Sequence, residues 1–72
     1  MTEEEFVALL KIEGKSLYID MHRFRTKKLQ IRPHYSMTVI NPDGVQSWTS
    51  TKYYRSRAYA AKVIAKKYYE NN

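Results

Sequence analysis

Lysine and tyrosine side chains share one face of a helix that we expect in the last third of the chain. At about 100° per residue, Tyr59, Lys62, Lys66 and Tyr69 project in a similar direction. Lysine neutralises phosphates and releases their counterions, and an exposed tyrosine ring can stack on a base. The alternative is a solvated helix face whose tyrosines cap its ends. The combination of the two residue types favours a surface that meets polyanions.

A second group of cations lies in the first half of the chain. Its members are Arg23, Arg25, Lys27, Lys28 and, a little further on, Arg32. The run from residue 23 to residue 28 predicts a basic connector, a flexible loop that can grip a phosphate backbone. The alternative is an ordinary soluble loop, because short basic runs are common.

The single tryptophan, Trp48, is the third candidate. Strict alternation along a strand puts Trp48 on the same face as Gln46 and Ser50, opposite Val45. If Val45 faces the core, Trp48 stands on the open face of a sheet, where its ring can stack on a base. The alternative is that Trp48 anchors the core, which is favoured because tryptophan is usually largely buried.

Residues for catalysis or metal binding are sparse. The chain has no cysteine, so it can form neither a disulfide nor a thiolate metal site. Its two histidines, His22 and His34, lack a close acid pair to complete a ligand set, so we expect no metal and no other cofactor. Asp20, His22 and a serine could be drawn as a triad, but so small a domain offers little cleft for an oxyanion hole. We therefore expect a protein that is not an enzyme.

The net charge of +6 is unevenly distributed. Residues 1–14 carry −3, residues 15–34 carry +5 and residues 55–72 carry +4. An acidic head followed by two basic segments indicates a directed electrostatic field. The length predicts one small domain over residues 1–72. Small domains often gain stability by self-association, so the sequence also allows a homo-oligomer.

Neither a membrane span nor a signal peptide is visible. No apolar run approaches the roughly 20 residues that cross a bilayer. The first residues are acidic, whereas a signal peptide begins with basic residues and an apolar stretch. We therefore expect a cytoplasmic protein with no membrane partner.

Residues 3–12 are predicted to form a short helix. Thr2 and Glu5 have the spacing of a capping box, the first turn is acidic, and Gly14 can end the helix. The alternative is a hairpin with Glu13-Gly14 as its turn. The acidic first turn favours the helix.

Alternating apolar residues predict strands in the middle of the chain. One begins at Ser16 and extends to about residue 22, and Pro33 marks an edge or a break. A strand over residues 35–40 is followed by the turn Asn41-Pro42-Asp43-Gly44 and by an antiparallel partner over residues 45–52.

The final helix is predicted from about Ser56, as N-cap, to Tyr69. Its inner face is small and apolar, comprising Ala60, Ala61, Ile64, Ala65 and Tyr68. The predicted fold class is α+β. An antiparallel sheet of three strands, with a fourth left open, packs on this helix, and the N-terminal helix covers the remainder.

Five residues of the second half follow the spacing Y-x-S-K/R-x-x-A-x-x-x-I, behind a hairpin turn. They are Tyr54, Ser56, Arg57, Ala60 and Ile64. This half of the chain resembles a YegP-like hairpin–helix module. The resemblance implies a fold and not an activity.

The order strand, turn, strand, helix is also similar to the arm-binding domains of phage-type tyrosine recombinases, which read DNA with a three-stranded sheet. The full order helix–strand–strand–strand–helix is similar to the double-stranded-RNA-binding domain. In that family the last helix starts with a basic K-K-x-A-K motif, which Arg55-Ser56-Arg57-Ala58 echoes. These resemblances imply nucleic-acid binding as a class and transfer no individual residue.

The sequence therefore predicts a non-enzymatic nucleic-acid-binding domain, with DNA favoured over RNA. The contacts are expected chiefly to the phosphate backbone. The alternative is a small protein-binding module that recognises an acidic protein surface, such as a phage- or mobile-element-encoded inhibitor of a host protein. In that case tyrosines and Trp48 would anchor a protein interface.

Overall fold

The computed structural model describes residues 1–70 as a helix, three strands and a second helix. The elements are α1 (Glu3–Ile12), β1 (Ser16–Arg25), β2 (Ile31–Ile40), β3 (Gln46–Thr49) and α2 (Arg57–Glu70). The strands form one antiparallel sheet in the order β1-β2-β3. The predicted α+β fold class is confirmed.

Helix α1 is defined at both ends by local hydrogen bonds. The Thr2 hydroxyl accepts a hydrogen bond from the Glu5 amide at 3.2 Å, and the Glu5 carboxylate accepts one from the Thr2 amide at 2.9 Å. At the other end Gly14 has a φ of +74°, and the Lys15 amide donates to the Leu10 carbonyl at 2.9 Å. This is a Schellman ending, which only a residue tolerant of positive φ allows. The helix prediction is confirmed and the hairpin alternative is excluded.

Both helices pack on the same face of the sheet and share one core. Phe6 and Leu10 of α1 belong to the same core cluster as Met37 and Val39 of β2, and all four side chains are fully buried. The contribution of α2 is the predicted inner face, namely Ala60, Ala61, Ile64, Ala65 and Tyr68. Small side chains let the α2 backbone approach the sheet closely, so this face tolerates little added volume.

The hairpin of β1 and β2 is longer than predicted. Arg23 pairs with Pro33 and Arg25 pairs with Ile31, so the first three residues of the expected connector continue β1. A break at Pro33 is also wrong. The Tyr35 amide donates a hydrogen bond to the Tyr54 carbonyl at 2.7 Å. The backbone nitrogen of Pro33, two residues earlier, points towards the same edge of β2. Because β3 does not extend as far as Pro33, no neighbouring strand on that edge requires the N–H group that proline lacks.

A bulge in β3 decides the orientation of Trp48. Ile40 pairs with Gln46 whereas the adjacent Val39 pairs with Trp48, so Ser47 is an extra residue between them. The expectation that Trp48 and Gln46 share a face is therefore wrong. Trp48 is half-buried against the core, with its ring centroid 5.7 Å from that of Tyr68. The core alternative is the one that the structure shows.

The two hairpin loops have the same hydrogen-bond pattern but different residues at the strained position. The Thr26 amide donates a hydrogen bond to the Gln30 backbone carbonyl at 2.8 Å, and the Asn41 amide donates one to the Val45 backbone carbonyl at 2.9 Å. Each loop then needs one residue with positive φ. Gly44 supplies it at +87°, whereas the other loop uses Leu29 at +59°. A leucine in this region is strained by about 1–2 kcal/mol.

We expect Leu29→Gly to raise the free energy of unfolding by about 0.5–1 kcal/mol, because relief of strain exceeds the added entropy of the unfolded chain. Little burial is lost, since Leu29 is 75% exposed. The measurement is the urea midpoint at an unchanged m-value. The matched variant Gly44→Ala should destabilise although its new Cβ has open space around it, because φ alone is unfavourable. A destabilised Leu29→Gly protein would contradict this account.

Ala61→Leu should destabilise the protein by about 1–3 kcal/mol, because Ala61 is fully buried between α2 and the sheet and the larger side chain overpacks the core. The neighbouring Lys62→Ala should change stability by less than about 0.5 kcal/mol, because Lys62 is exposed. Chemical denaturation of both variants tests the helical phase. The reverse order of effects would show that the phase is wrong.

Candidate nucleic-acid interface

Part of the β1–β2 hairpin extends beyond the portion of the sheet that the helices cover. In this segment, residues 21–34, which we call the ribbon, Thr26 and His34 are partly buried and all other residues are exposed. The two strands remain paired as far as Arg25 and Ile31. The molecule is accordingly elongated, with extents of 43 × 23 × 20 Å.

The ribbon concentrates positive charge. It contains the predicted cations Arg23, Arg25, Lys27, Lys28 and Arg32, and no aspartate or glutamate. Within residues 1–70 none of these five side chains forms a salt bridge with a carboxylate. Arg32 donates only to the neutral Gln30 side chain, at 2.7 Å. Cations on a narrow, exposed element without counter-charges attract phosphates effectively.

A sixth basic side chain joins the five of the ribbon from a distant part of the sequence. Arg55 lines a cavity of about 650 Å³ together with Lys27, Lys28 and Arg32. The bridge between Tyr35 and Tyr54 holds Arg55 there through two backbone hydrogen bonds of 2.7 and 2.8 Å. The sequence placed Arg55 in a basic segment but indicated nothing about its neighbours. The cavity is a cationic recess of the size that a phosphate group can enter.

The predicted basic and aromatic face of α2 is less free than expected. Lys62 borders a cavity lined by the acidic first turn of α1, and the Lys66 ammonium lies 4.0 Å from the Glu70 carboxylate. The ring of Tyr59 packs at 5.8 Å from Tyr54, and that of Tyr69 at 5.9 Å from Phe6. These contacts reduce both the charge and the ring surface that this face offers to a ligand.

The acidic head folds back onto the start of α2. Glu3 accepts two hydrogen bonds from the Arg57 guanidinium, at 2.7 and 2.9 Å. These hydrogen bonds lower the pKa of Glu3 and raise that of Arg57. One cation of the second basic segment is thereby neutralised. The basic ribbon, by contrast, holds no such partner, so it is the strongest positive feature in the described part of the chain.

The sheet face opposite the helices carries a group of rings that the sequence analysis missed. His22, Phe24, His34 and Tyr53 form this aromatic cluster, in which the Phe24 ring lies 4.7, 4.8 and 5.7 Å from the other three. The Tyr53 hydroxyl donates to the Asp20 carboxylate at 2.7 Å, which raises the pKa of Tyr53. The available signal was the alternation of β1, which points His22 and Phe24 outward once the strand continues to Arg25.

No family model, curated protein or solved structure matches the chain significantly. The likeness to a YegP-like module, to recombinase arm-binding domains and to double-stranded-RNA-binding domains therefore rests only on the quoted residues and on the order of helices and strands. Among residues 1–70, no three metal-ligating side chains come together as a group that could hold a metal ion. Neither helix of this described range has the length and apolar character required to cross a membrane.

We expect Glu3→Gln to lower the free energy of unfolding at pH 7 by up to about 1 kcal/mol, because the pair with Arg57 is partly exposed. The folded pKa of Glu3 lies below the ordinary value of 4.5. The stabilisation is therefore complete above that value and is lost as the pH falls through the folded pKa. Urea denaturation from pH 7 to pH 3 should show the variant and the parent converging.

Glu4→Gln is the matched control for this experiment. Glu4 lies in the same helical turn but forms no salt bridge with another residue of the described chain. An equal loss of stability in both variants would assign the effect to the helix dipole instead of Arg57.

Proposed function

We propose that this chain is a non-enzymatic nucleic-acid-binding domain that contacts phosphate groups through its ribbon. The supporting observation is the set of five ribbon cations that no carboxylate of residues 1–70 neutralises. Each such cation can replace condensed counterions on a phosphate backbone, and the released ions favour binding. Arg55 adds a further positive charge beside the ribbon.

The shape of the ribbon favours DNA over duplex RNA. The major groove of B-DNA is about 12 Å wide and admits a two-stranded β-ribbon. The corresponding groove of A-form RNA is deep and narrow, so side chains cannot read it. The exposed lysines of α2, Lys62 and Lys66, are secondary contacts in this proposal because acidic groups lie near both.

Binding to a duplex DNA fragment should weaken steeply as salt is raised, because several phosphates are contacted. We expect Arg25→Gln and Lys28→Gln each to weaken binding and to reduce the slope of log K against log salt by about 0.9. Fluorescence anisotropy over a salt series measures both quantities. Both side chains are exposed, so stability should change by less than about 0.5 kcal/mol.

Lys11→Gln is the charge-matched control. Lys11 lies on α1, outside the ribbon, and is exposed. This variant removes the same charge but should leave the salt slope nearly unchanged. An equal effect of all three substitutions would show that binding depends on net charge and not on the ribbon. No binding to DNA even at low salt would refute the proposed function.

A pull-down with and without nuclease distinguishes nucleic acid from the alternative partner, an acidic protein surface. The proposal predicts that the captured material is nucleic acid and disappears after digestion. A protein that remains bound after nuclease treatment, together with no measurable DNA binding, would favour the alternative.

A further inference from the structure

The aromatic cluster exposes ring surface on a sheet face that neither helix covers. Phe24 and Tyr53 are 40% and 39% exposed. Tyr18, which alternation along β1 places on the same face, is 57% exposed. The core of the protein lies on the other face, so these rings add nothing to it. Contiguous exposed apolar surface, unlike single scattered residues, usually marks a binding site.

Positive charge borders the cluster. Arg32 is the direct cross-strand partner of Phe24, and Lys52 lines a recess of about 390 Å³ with Phe24, His34 and Tyr53. The nearby carboxylate, Asp20, accepts a hydrogen bond from Tyr53 and keeps its negative charge, which the two cations outnumber. The open face therefore presents rings flanked by cations. This arrangement complements a ligand that carries both planar rings and negative charge.

We propose that the aromatic cluster stacks unpaired bases, so that single-stranded nucleic acid is the ligand of the open face. This inference rests on the proposed function, since the phosphates of the same strand would bind Arg32 and Lys52. Bases within a duplex stack on each other and offer their edges, whereas unpaired bases offer their faces to protein rings. Single-stranded DNA and single-stranded RNA share this chemistry.

The cluster could instead only stabilise the ribbon, because cross-strand aromatic pairs hold strands together. Base stacking and ribbon stability make different predictions when the phosphate chain is kept and the bases are removed. The test therefore uses four probes of equal length: single-stranded DNA, single-stranded RNA, an abasic strand and a DNA duplex.

The parent protein should bind the single strand about tenfold more tightly than the abasic strand, measured by fluorescence anisotropy. Phe24→Leu should lose about this factor for the single strand and keep its affinity for the duplex. Phe24→Trp, which retains a ring, should preserve single-strand binding. A tenfold preference in only one of the DNA and RNA arms would assign the ligand to that nucleic acid. Equal binding of the base-containing and abasic strands would overturn the inference.

Tyr69→Leu is the matched control, since it removes a ring of similar exposure from α2. Its single-strand affinity should stay close to that of the parent. If Tyr69→Leu loses the base-dependent factor and Phe24→Leu does not, the stacking surface is α2 and the inference is wrong. If Phe24→Leu weakens single-strand and duplex binding equally, the cluster only supports the ribbon. If the parent binds none of the probes, the proposed function itself fails.

Discussion

The fold depends on one core in which α2 packs on β2, while α1 packs on β1 and on α2. Met37 and Val39 of β2 are fully buried in this core, together with Phe6 of α1 and the alanine-rich face of α2. Within residues 1–70 every large buried side chain belongs to this single cluster, as expected for a chain too short to bury two layers. Since both helices are needed on this face, none is left to cover the other. The open sheet face is thus a direct consequence of how the core is built.

The same constraint explains why the β1–β2 hairpin projects. The helices cover only the part of the β1–β2 hairpin far from its loop, so the distal pairs from His22–His34 to Arg25–Ile31 lie beyond the core. No face of this segment has to be apolar, and arginines can occupy strand positions without a desolvation penalty. The ribbon is stabilised by its own ladder and by the rings of the aromatic cluster on one side. Its charged side chains are therefore exposed and available to a ligand.

Two departures from local conformational preference lie in the ribbon. Pro33 lies within a strand, and Leu29 adopts a positive φ at the hairpin tip. The equivalent loop beside the core uses Gly44 and carries no such strain. Departures from local preference often coincide with functional segments, and these lie among the cations from which we infer phosphate contacts. The acidic residues lie outside the ribbon, and one of them, Glu3, is paired with Arg57 at the start of α2.

The helices, their caps and the Asn41–Gly44 turn could be predicted from the sequence because each depends on contacts within a few residues. Thr2 and Glu5 cap α1, Gly14 ends it, and the 3.6-residue period identified the buried face of α2. The cationic residues of the candidate site were equally visible as residue types.

The arrangement of the site residues was decided by tertiary structure, because it depends on pairs of residues that lie far apart in the chain. The register of β1 against β2 turned the first three residues of the predicted loop, 23–25, into strand, and the bulge at Ser47 rotated Trp48 into the core. The Glu3–Arg57 pair joins residues 54 positions apart. The aromatic cluster forms only where β1, β2 and Tyr53 meet. The periodicity of a sequence indicates on which face of its helix or strand a residue lies. It does not indicate which residues of other elements lie opposite that face, and the candidate interface is built from contacts between such residues.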